Sequence, residues 1–397
     1  MNKLFLLIFA VAFNFNVFLV NAQHKVIPDK RVVIFMVDGF GLDYLKKSRM
    51  PILKGTLMKH GFYKPVQSLM PSVTNCNNAS ICCGTAANEH GVVGNTFINS
   101  VTKEKEYLES ADLVLSPTIF QRAGNHGIKS ALFSSKLKTI FLLSAGTEFS
   151  VCPETASPEW VNVAGQPPNK YTREVNYWTL TCAIHTLKTR PDIQLLYVHT
   201  TDYAMHTWAP EARESREHLL KVDSLLGEII KAAPDAAIFV TADHGMNHKN
   251  KVWDLEKALQ SRGIRINAAI SPLADKYPKH HSGYGGISYL YLNDRADEKK
   301  VKAALLKLDG VDKVYSRAQA VDEFQLMPDR IGDLVILGDK RTVFGELEKS
   351  ESESLPKTYR THGSEYERDV PLIIYNMNPI PDASFFVYNK DIVRWLY

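Results

Sequence analysis

The chain has 397 residues, of which 45% are apolar and 23% charged, with a formal net charge of +4. That composition suits one large packed α/β domain carrying an insertion. So small a net charge does not argue for a nucleic-acid partner, which needs a clustered basic face, and is at most compatible with anionic substrates.

Met1-Asn2-Lys3 gives a basic start, and Leu4 to Val20 is apolar except at Asn14 and Asn16. Val20-Asn21-Ala22 before Gln23 resembles a small-residue cleavage site. Residues 1–22 therefore read as a secretory signal peptide, and the mature chain as exported to the periplasm or the medium. No later segment is apolar for long enough to span a bilayer, so no membrane association is expected after signal removal. Cys76, Cys82, Cys83, Cys152 and Cys182 are an odd number without a C-x-x-C pair, which disfavours a thiolate zinc site. Cys82 and Cys83 read as buried thiols.

Val32 to Val37 is a short apolar run ending in Asp38-Gly39, the pattern of a buried parallel strand. Similar runs cover Ser130 to Ser134, Ile193 to His199, Ala236 to Thr241 and Val370 to Tyr375. Between them, Glu211 to Ala233 carries Leu219, Val222, Leu225, Leu226 and Ile229 at helical spacing. Alternating strands and helices predict an α/β fold with a mainly parallel central sheet flanked by helices. Residues 265–350 read as a small α/β cap inserted into a core formed by 23–264 and 351–397. Within it, strands are expected at Gly286 to Leu292, Val311 to Tyr315 and Ile331 to Leu337, with a helix at Asp297 to Leu308. Glu346 to Lys357 is charged and serine-rich, and reads as a mobile loop.

Functional groups in such folds collect at the carboxyl ends of strands. Asp38, Asp202 and Asp243-His244 each follow a predicted strand. Asp202 and His206 would share one face if the chain turned helical there. His362 lies in Thr361-His362-Gly363, where the glycine would leave room at a metal. Taken singly, an Asp-His pair is usually structural or solvated. Together at successive strand ends, these carboxylates and imidazoles point to a transition-metal cage. Thr74 follows Met70-Pro71-Ser72-Val73 and precedes a short helical stretch, which places it at a helix N-terminus able to favour an anion. Metal coordination would activate its hydroxyl as a nucleophile, whereas the plain alternative is an N-cap. Asn95 after Gly94 reads either as a donor to a phosphoryl oxygen or as a turn residue.

The combination Val37-Asp38-Gly39, Thr74, Asp202-x-x-x-His206, Asp243-His244-Gly245 and Thr361-His362-Gly363 resembles the alkaline phosphatase superfamily. Within it the chain resembles the nucleotide pyrophosphatase/phosphodiesterase branch, and most of all phosphonoacetate hydrolase, from Arg31 to Tyr397. The resemblance implies an alkaline-phosphatase-like core and two zinc ions. One zinc would be held by Asp202, His206 and His362, the other by Asp38, Asp243 and His244, with Thr74 also coordinated. It implies that Thr74 attacks phosphorus, and that its backbone N–H and Asn95 bind phosphoryl oxygens. Thr74-Asn75-Cys76-Asn77-Asn78 resembles the Thr-Asn-x-Asn-Asn run of phosphonoacetate hydrolases, with Cys76 in place of an expected proline. Lys136 and Lys138 match a Lys-x-Lys pair that grips the substrate carboxylate in that family. On extended chain, alternate residues would point the same way.

The expected reaction is cleavage of phosphonoacetate to acetate and phosphate through a phosphothreonine. The alternative is a phosphodiesterase or nucleotide pyrophosphatase with an aromatic slot drawn from Tyr203, Trp208 and Tyr284. No arginine stands out as the phosphate clamp of a monoesterase, and an intact ligand set disfavours a non-catalytic binding protein. The partner is a small anionic phosphonate or phosphoester. The sequence sets no oligomeric state, a homodimer being compatible with it, and His248, His280 and His281 receive no role.

Overall fold

The computed structural model describes residues 25–276 and 282–397. The signal-peptide expectation and His280 and His281 lie outside these residues. Eleven strands matter here. In chain order they are β1 (Val32–Met36), β2 (Phe62–Gln67), β3 (Lys129–Ser134), β4 (Phe149–Val151), β5 (Ile193–His199), β6 (Ala237–Thr241), β7 (Ala268–Ile270), β8 (Ile287–Tyr291), β9 (Val311–Ser316), β10 (Leu334–Gly338) and β11 (Asp369–Tyr375). A seven-stranded sheet has the order β2-β11-β6-β1-β5-β3-β4. Its strands run parallel except β11, which is antiparallel to both neighbours. Every residue of β1 and β6 is buried, which explains their unbroken apolar character: helices cover both faces.

Four helices carry the argument: α1 (Thr74–Cys83), α2 (Leu137–Leu143), α3 (Tyr203–Thr207) and α4 (Arg213–Ala232). The apolar stripe of α4, Leu219, Val222, Leu225, Leu226 and Ile229, is buried as its spacing predicts. Each such side chain contributes about 1.5–3 kcal/mol by leaving water. Among the described residues, no helix is long and apolar enough to cross a membrane. All five cysteines are buried free thiols, and burial pushes Cys76, Cys82, Cys152 and Cys182 up to about 12.

A second sheet, β7-β8-β10-β9, is antiparallel throughout. Its apolar cluster recruits Trp253, Leu255, Leu259 and Ile264 as well as Leu290, Leu305 and Ile336. Those first four lie before residue 265. The segment Glu346 to Lys357 differs from the expected mobile loop. Ser352–Ser354 pairs antiparallel with Lys251–Trp253, and Arg262 holds Glu351 at 2.9 Å. Its charged residues are used for edge pairing and an ion pair, which a reading of loops by composition does not detect.

Candidate active site

Register explains why the acidic residues meet. Met36 at the end of β1 pairs with both His199 of β5 and Thr241 of β6. Asp38 and Asp243 therefore stand two residues beyond a common rung and Asp202 three, at the carboxyl edge of three adjacent strands. The Asp38 N–H donates to Thr200 Oγ1 at 3.0 Å, and the Gly39 N–H to Asp243 Oδ1 at 3.0 Å. Gly39 has φ +72, and a Cβ there would come 3.0 Å from the Asp202 Cβ. The Asp-Gly dipeptide thus lets two carboxylate-bearing strand ends close on one another.

Asp202 is the N-cap of α3, and its Oδ2 lies 3.0 Å from His206 Nε2 one turn later. His362 Nε2 is 3.7 Å from the same oxygen. Asp202, His244 and His362 form one buried group whose ligand atoms lie within 4.8 Å of one another, and Asp38, Asp243 and His244 form another. His244 is common to both, its ring stacked 3.6 Å from that of His362. The expected division put His206 with Asp202 and His362; the structure brings His206 to Asp202 and adds His244 to that group.

Three imidazoles present the same geometry. His206 Nδ1 faces Arg360 O at 2.7 Å, His362 Nδ1 faces Ser72 O at 2.7 Å, and His244 Nδ1 faces Gly245 O at 2.9 Å. A carbonyl can only accept, so each Nδ1 carries the proton and each Nε2 is left as a lone pair toward the cage. Burial lowers the pKa of His244 and His362 and keeps them neutral, the form that ligates.

Asp243 supplies the test of metal fit. Its Oδ1 accepts from the Gly39 and His244 N–H groups, but its buried Oδ2 has no hydrogen-bond partner among the described residues. Burial and the neighbouring Asp38 raise its pKa well above the usual carboxylate range. An orphaned carboxylate oxygen beside neutral imidazole nitrogens is the donor set that a divalent cation satisfies. The two groups fit a binuclear metal site.

Thr74 opens α1, and its Oγ1 lies 3.2 Å from His244 Nε2 and 3.5 Å from Asp38 Oδ1. Val73 before it is extended and no side chain caps the helix. The first-turn N–H groups are therefore available to an anion. Asn77 fixes the approach: its Nδ2 donates to Leu69 O and Pro71 O at 3.0 Å each, and its Oδ1 accepts from the Leu69 N–H at 2.8 Å.

Thr74, Asn95, Lys136, Lys138, Asp202 and His362 line one cleft of about 420 Å³. Asn95 Nδ2 donates to Leu273 O at 3.1 Å, so its amide is tethered to the chain leading out of β7. The lysines differ from expectation. Residues 137–143 are helical, not extended, so Lys136 and Lys138 do not share a direction by alternation. Lys136 turns inward, donating to Asp38 Oδ2 at 2.6 Å and Asp202 Oδ1 at 2.9 Å. Burial works against its charge, but Asp202 and Asp38 outweigh that and hold its pKa above the ordinary lysine value. Asp202 is correspondingly depressed: burial opposes ionisation, and Lys136 and His206 reverse the sign. Lys138 meets Glu109 at 3.3 Å and closely approaches Asp275.

Gly363 also has a different role. With φ +108, its Cβ would meet Leu273 Cδ1 at 3.0 Å and Gly286 N at 3.1 Å, so it fits the turn against β8's approach and not a metal. His248 is half-buried beside Arg341 and lines a separate cleft.

Two supporting groups escaped the sequence reading. His199 is fully buried, with Nδ1 2.9 Å from Ser134 Oγ and Nε2 3.3 Å from Asp38 Oδ2 and 3.2 Å from Asn78 Nδ2. Its place at the very end of β5 was the available signal. Lys249 and Glu367 form a fully buried pair at 2.8 Å, and Glu367 Oε2 accepts from the Ser364 N–H and Oγ. That pair pins the turn bearing His362, and nothing in its sequence context marks it.

The sheet, the strand-end carboxylates and the threonine at a helix start define a metal-dependent hydrolase of the alkaline phosphatase superfamily. A family model described as type I phosphodiesterase / nucleotide pyrophosphatase matches residues 32–365, and the chain belongs to that family. It is similar to the phosphonoacetate hydrolase of Sinorhizobium meliloti 1021, solved in complex with phosphonoformate. The two are 28% identical with a TM-score of 0.85, over 94% of this chain and 97% of that one. It also resembles bis(5'-adenosyl)-triphosphatase enpp4 of Mus musculus, 26% identical over 63% of this chain and 54% of the relative. The human bis(5'-adenosyl)-triphosphatase ENPP4 is 22% identical over 63% and 55%. The chain thus spans about half the length of these curated relatives. Murine ectonucleotide pyrophosphatase / phosphodiesterase 5 shares the fold, with a TM-score of 0.65 at 17% identity over 87% of this chain and 88% of that one.

Proposed function

We propose that this metal-dependent hydrolase cleaves the carbon–phosphorus bond of phosphonoacetate, with Thr74 as nucleophile. The observation that carries the reading is that Lys136 and Lys138 open on the same cleft as Thr74. Similarity to a phosphonoacetate hydrolase along nearly the whole chain supports it. Two zinc ions held by Asp202, His206, His362 and by Asp38, Asp243, His244 would supply Lewis-acid charge for the phosphoryl oxygens and lower the pKa of the Thr74 hydroxyl. Thr74 Oγ attacks phosphorus as an alkoxide, and the C–P bond breaks with its electron pair moving to the carboxymethyl group. Lys136 and Lys138 steady the enolate-like charge that then spreads onto the carboxylate. Protonation at carbon gives acetate. Water hydrolyses the phosphothreonine, releasing phosphate and restoring the threonine. The Thr74 N–H and Asn95 hold non-bridging oxygens. For Lys136 to reach substrate, its ammonium must exchange Asp38 and Asp202 for the incoming carboxylate. Lys138 must likewise loosen from Glu109 and Asp275. Export through the N-terminal segment belongs to the same proposal.

The second reading is phosphodiester or pyrophosphate cleavage on the same core, supported by the family match. Of the three aromatics expected to form a base slot, only Tyr203 lines the cleft. Trp208 lies under Arg173 and Tyr284 packs near Tyr359. Phe141 and Tyr171, not foreseen, line it too. The deciding experiment compares phosphate release from phosphonoacetate with turnover of aryl phosphodiesters by the zinc-loaded protein. Phosphonoacetate turnover well above diester turnover is expected, and the reverse ratio would overturn the first reading.

A further inference from the structure

We infer that Asn75 is a further substrate-binding residue, whose carboxamide hydrogen-bonds an oxygen of the phosphoryl group seated on the N-terminus of α1. The inference deepens the phosphoryl-transfer reading of the same site and does not depend on which leaving group is cleaved.

Three asparagines follow Thr74, and of their amide nitrogens only that of Asn75 is left without a hydrogen-bond partner among the described residues. Asn77 bonds Leu69, Pro71 and Asn389, the last at 3.2 Å. Asn78 accepts from the Tyr197 hydroxyl at 2.8 Å and meets His199 Nε2 at 3.2 Å. Asn75 is 4% exposed, its Nδ2 has no hydrogen-bond partner among the described residues, and it lines the cleft beside Thr74. Buried carboxamides are almost always satisfied, because leaving one unpaired forfeits its hydration for nothing. An unpaired buried amide calls for a partner, and in a residue that lines a cleft a bound ligand can supply it.

The placement selects the ligand chemistry. Asn75 is the second residue of a ten-residue helix whose Val73 N-cap offers no side-chain cap. The first-turn N–H groups favour an anion there. A side chain at this position reaches the same anion from the cleft wall. A neutral donor adds a directional bond to a phosphoryl oxygen without adding charge beside the metal groups.

The test uses the zinc-loaded full chain and inorganic phosphate, the product common to both readings. Binding is followed by calorimetry, and the melting temperature is measured without phosphate. Asn75→Ala is expected to weaken phosphate by about 10-fold or more, the effect of one hydrogen bond to a charged group. Its melting temperature should stay equal or rise, since an unsatisfied buried amide has been removed. Asn75→Asp should weaken phosphate further by placing like charge at the anion. Asn75→Ser, smaller and polar, serves if alanine fails to fold. Unchanged phosphate affinity in any folded variant overturns the inference. So does a fall in melting temperature with phosphate affinity retained, which would assign Asn75 to the scaffold. A chain that binds phosphate through Asn75 yet leaves phosphonoacetate intact keeps this inference and loses the carbon–phosphorus reading.

Discussion

The floor of the cleft and its outer wall are built on different terms. Asp38, Asp202, Asp243, His244 and His362 are all buried, and each is set by a strand end or a backbone carbonyl. On the wall, Lys138, Glu109 and Asp275 are partly exposed and hold one another by ion pairs. Buried charges of the first kind cannot change partner without a large desolvation cost, whereas exposed ion pairs contribute little and exchange readily. On the proposed function, the floor sets the class of chemistry and the wall sets what enters. Lys136 belongs to both, since its stem lies in the wall and its ammonium reaches the floor.

The largest expected effect separates the nucleophile from its support. Thr74→Ala should lower turnover by about 10³-fold or more on every substrate, as loss of a nucleophile does. Zinc content by mass spectrometry should hold. Substantial residual turnover would remove Thr74 from the mechanism and leave the floor as a binding site only.

Next, substitutions in the wall should discriminate between substrates where those in the floor do not. Lys138→Ala is expected to cut kcat/KM for phosphonoacetate by about 10- to 100-fold, the loss of a charge-assisted contact, while small aryl esters are spared. Equal loss on both would make the wall part of the general machinery.

Metal removal probes the floor directly. Zinc at about 100 times its dissociation constant should stabilise the protein by about 2.7 kcal/mol, seen as a rise in melting temperature that chelation reverses. Asp243→Asn should abolish that rise. In the metal-free protein Lys136→Met should be destabilising by about 2 kcal/mol. This is less than for a fully buried pair because the lysine side chain retains 27% exposure. With zinc bound the penalty should shrink, because the cations then neutralise Asp38 and Asp202. A penalty unaffected by zinc would sink the exchange of partners proposed for this lysine.

The smallest effect contrasts cage imidazoles with buried imidazoles elsewhere. His90 Nδ1 accepts from the Val92 N–H at 3.1 Å, the reverse of the cage pattern, which marks it as a core residue. Burial holds both His90 and His218 down at about 3. Unfolding restores an ordinary value near 6.5, so the unfolded chain binds the extra protons. Stability contributed by these groups is full above about pH 6.5 and declines as pH falls toward 3, by up to about 1.4 kcal/mol per pH unit each. Urea denaturation of His218→Gln at pH 7, 6 and 5 should show a shallower decline than the parent; an unchanged slope would break this account.

The sequence alone determined the parts governed by short-range pattern. The apolar runs gave β1, β5, β6 and β11, because strands covered on both faces are predominantly apolar. The ends of the first three gave Asp38, Asp202 and Asp243, because parallel sheets present their carboxyl edge to ligands. The helical spacing gave α4, and a motif over seven positions, Asp38, Thr74, Asp202, His206, Asp243, His244 and His362, gave the family. Tertiary structure decided what depends on partners distant in the chain. Strand order and register brought residues 38, 202 and 243 to one edge. The carbonyls of Ser72, Gly245 and Arg360 chose the tautomers of three histidines. The helix at 137–143 parted two lysines that an extended chain would have aligned, and the fold supplied partners for Asn77 and Asn78 while leaving the Asn75 amide nitrogen without one among the described residues. Pattern records which side chains are buried; only packing sets which atoms they meet, and the ligand-ready nitrogen or the unpaired amide is a property of that meeting.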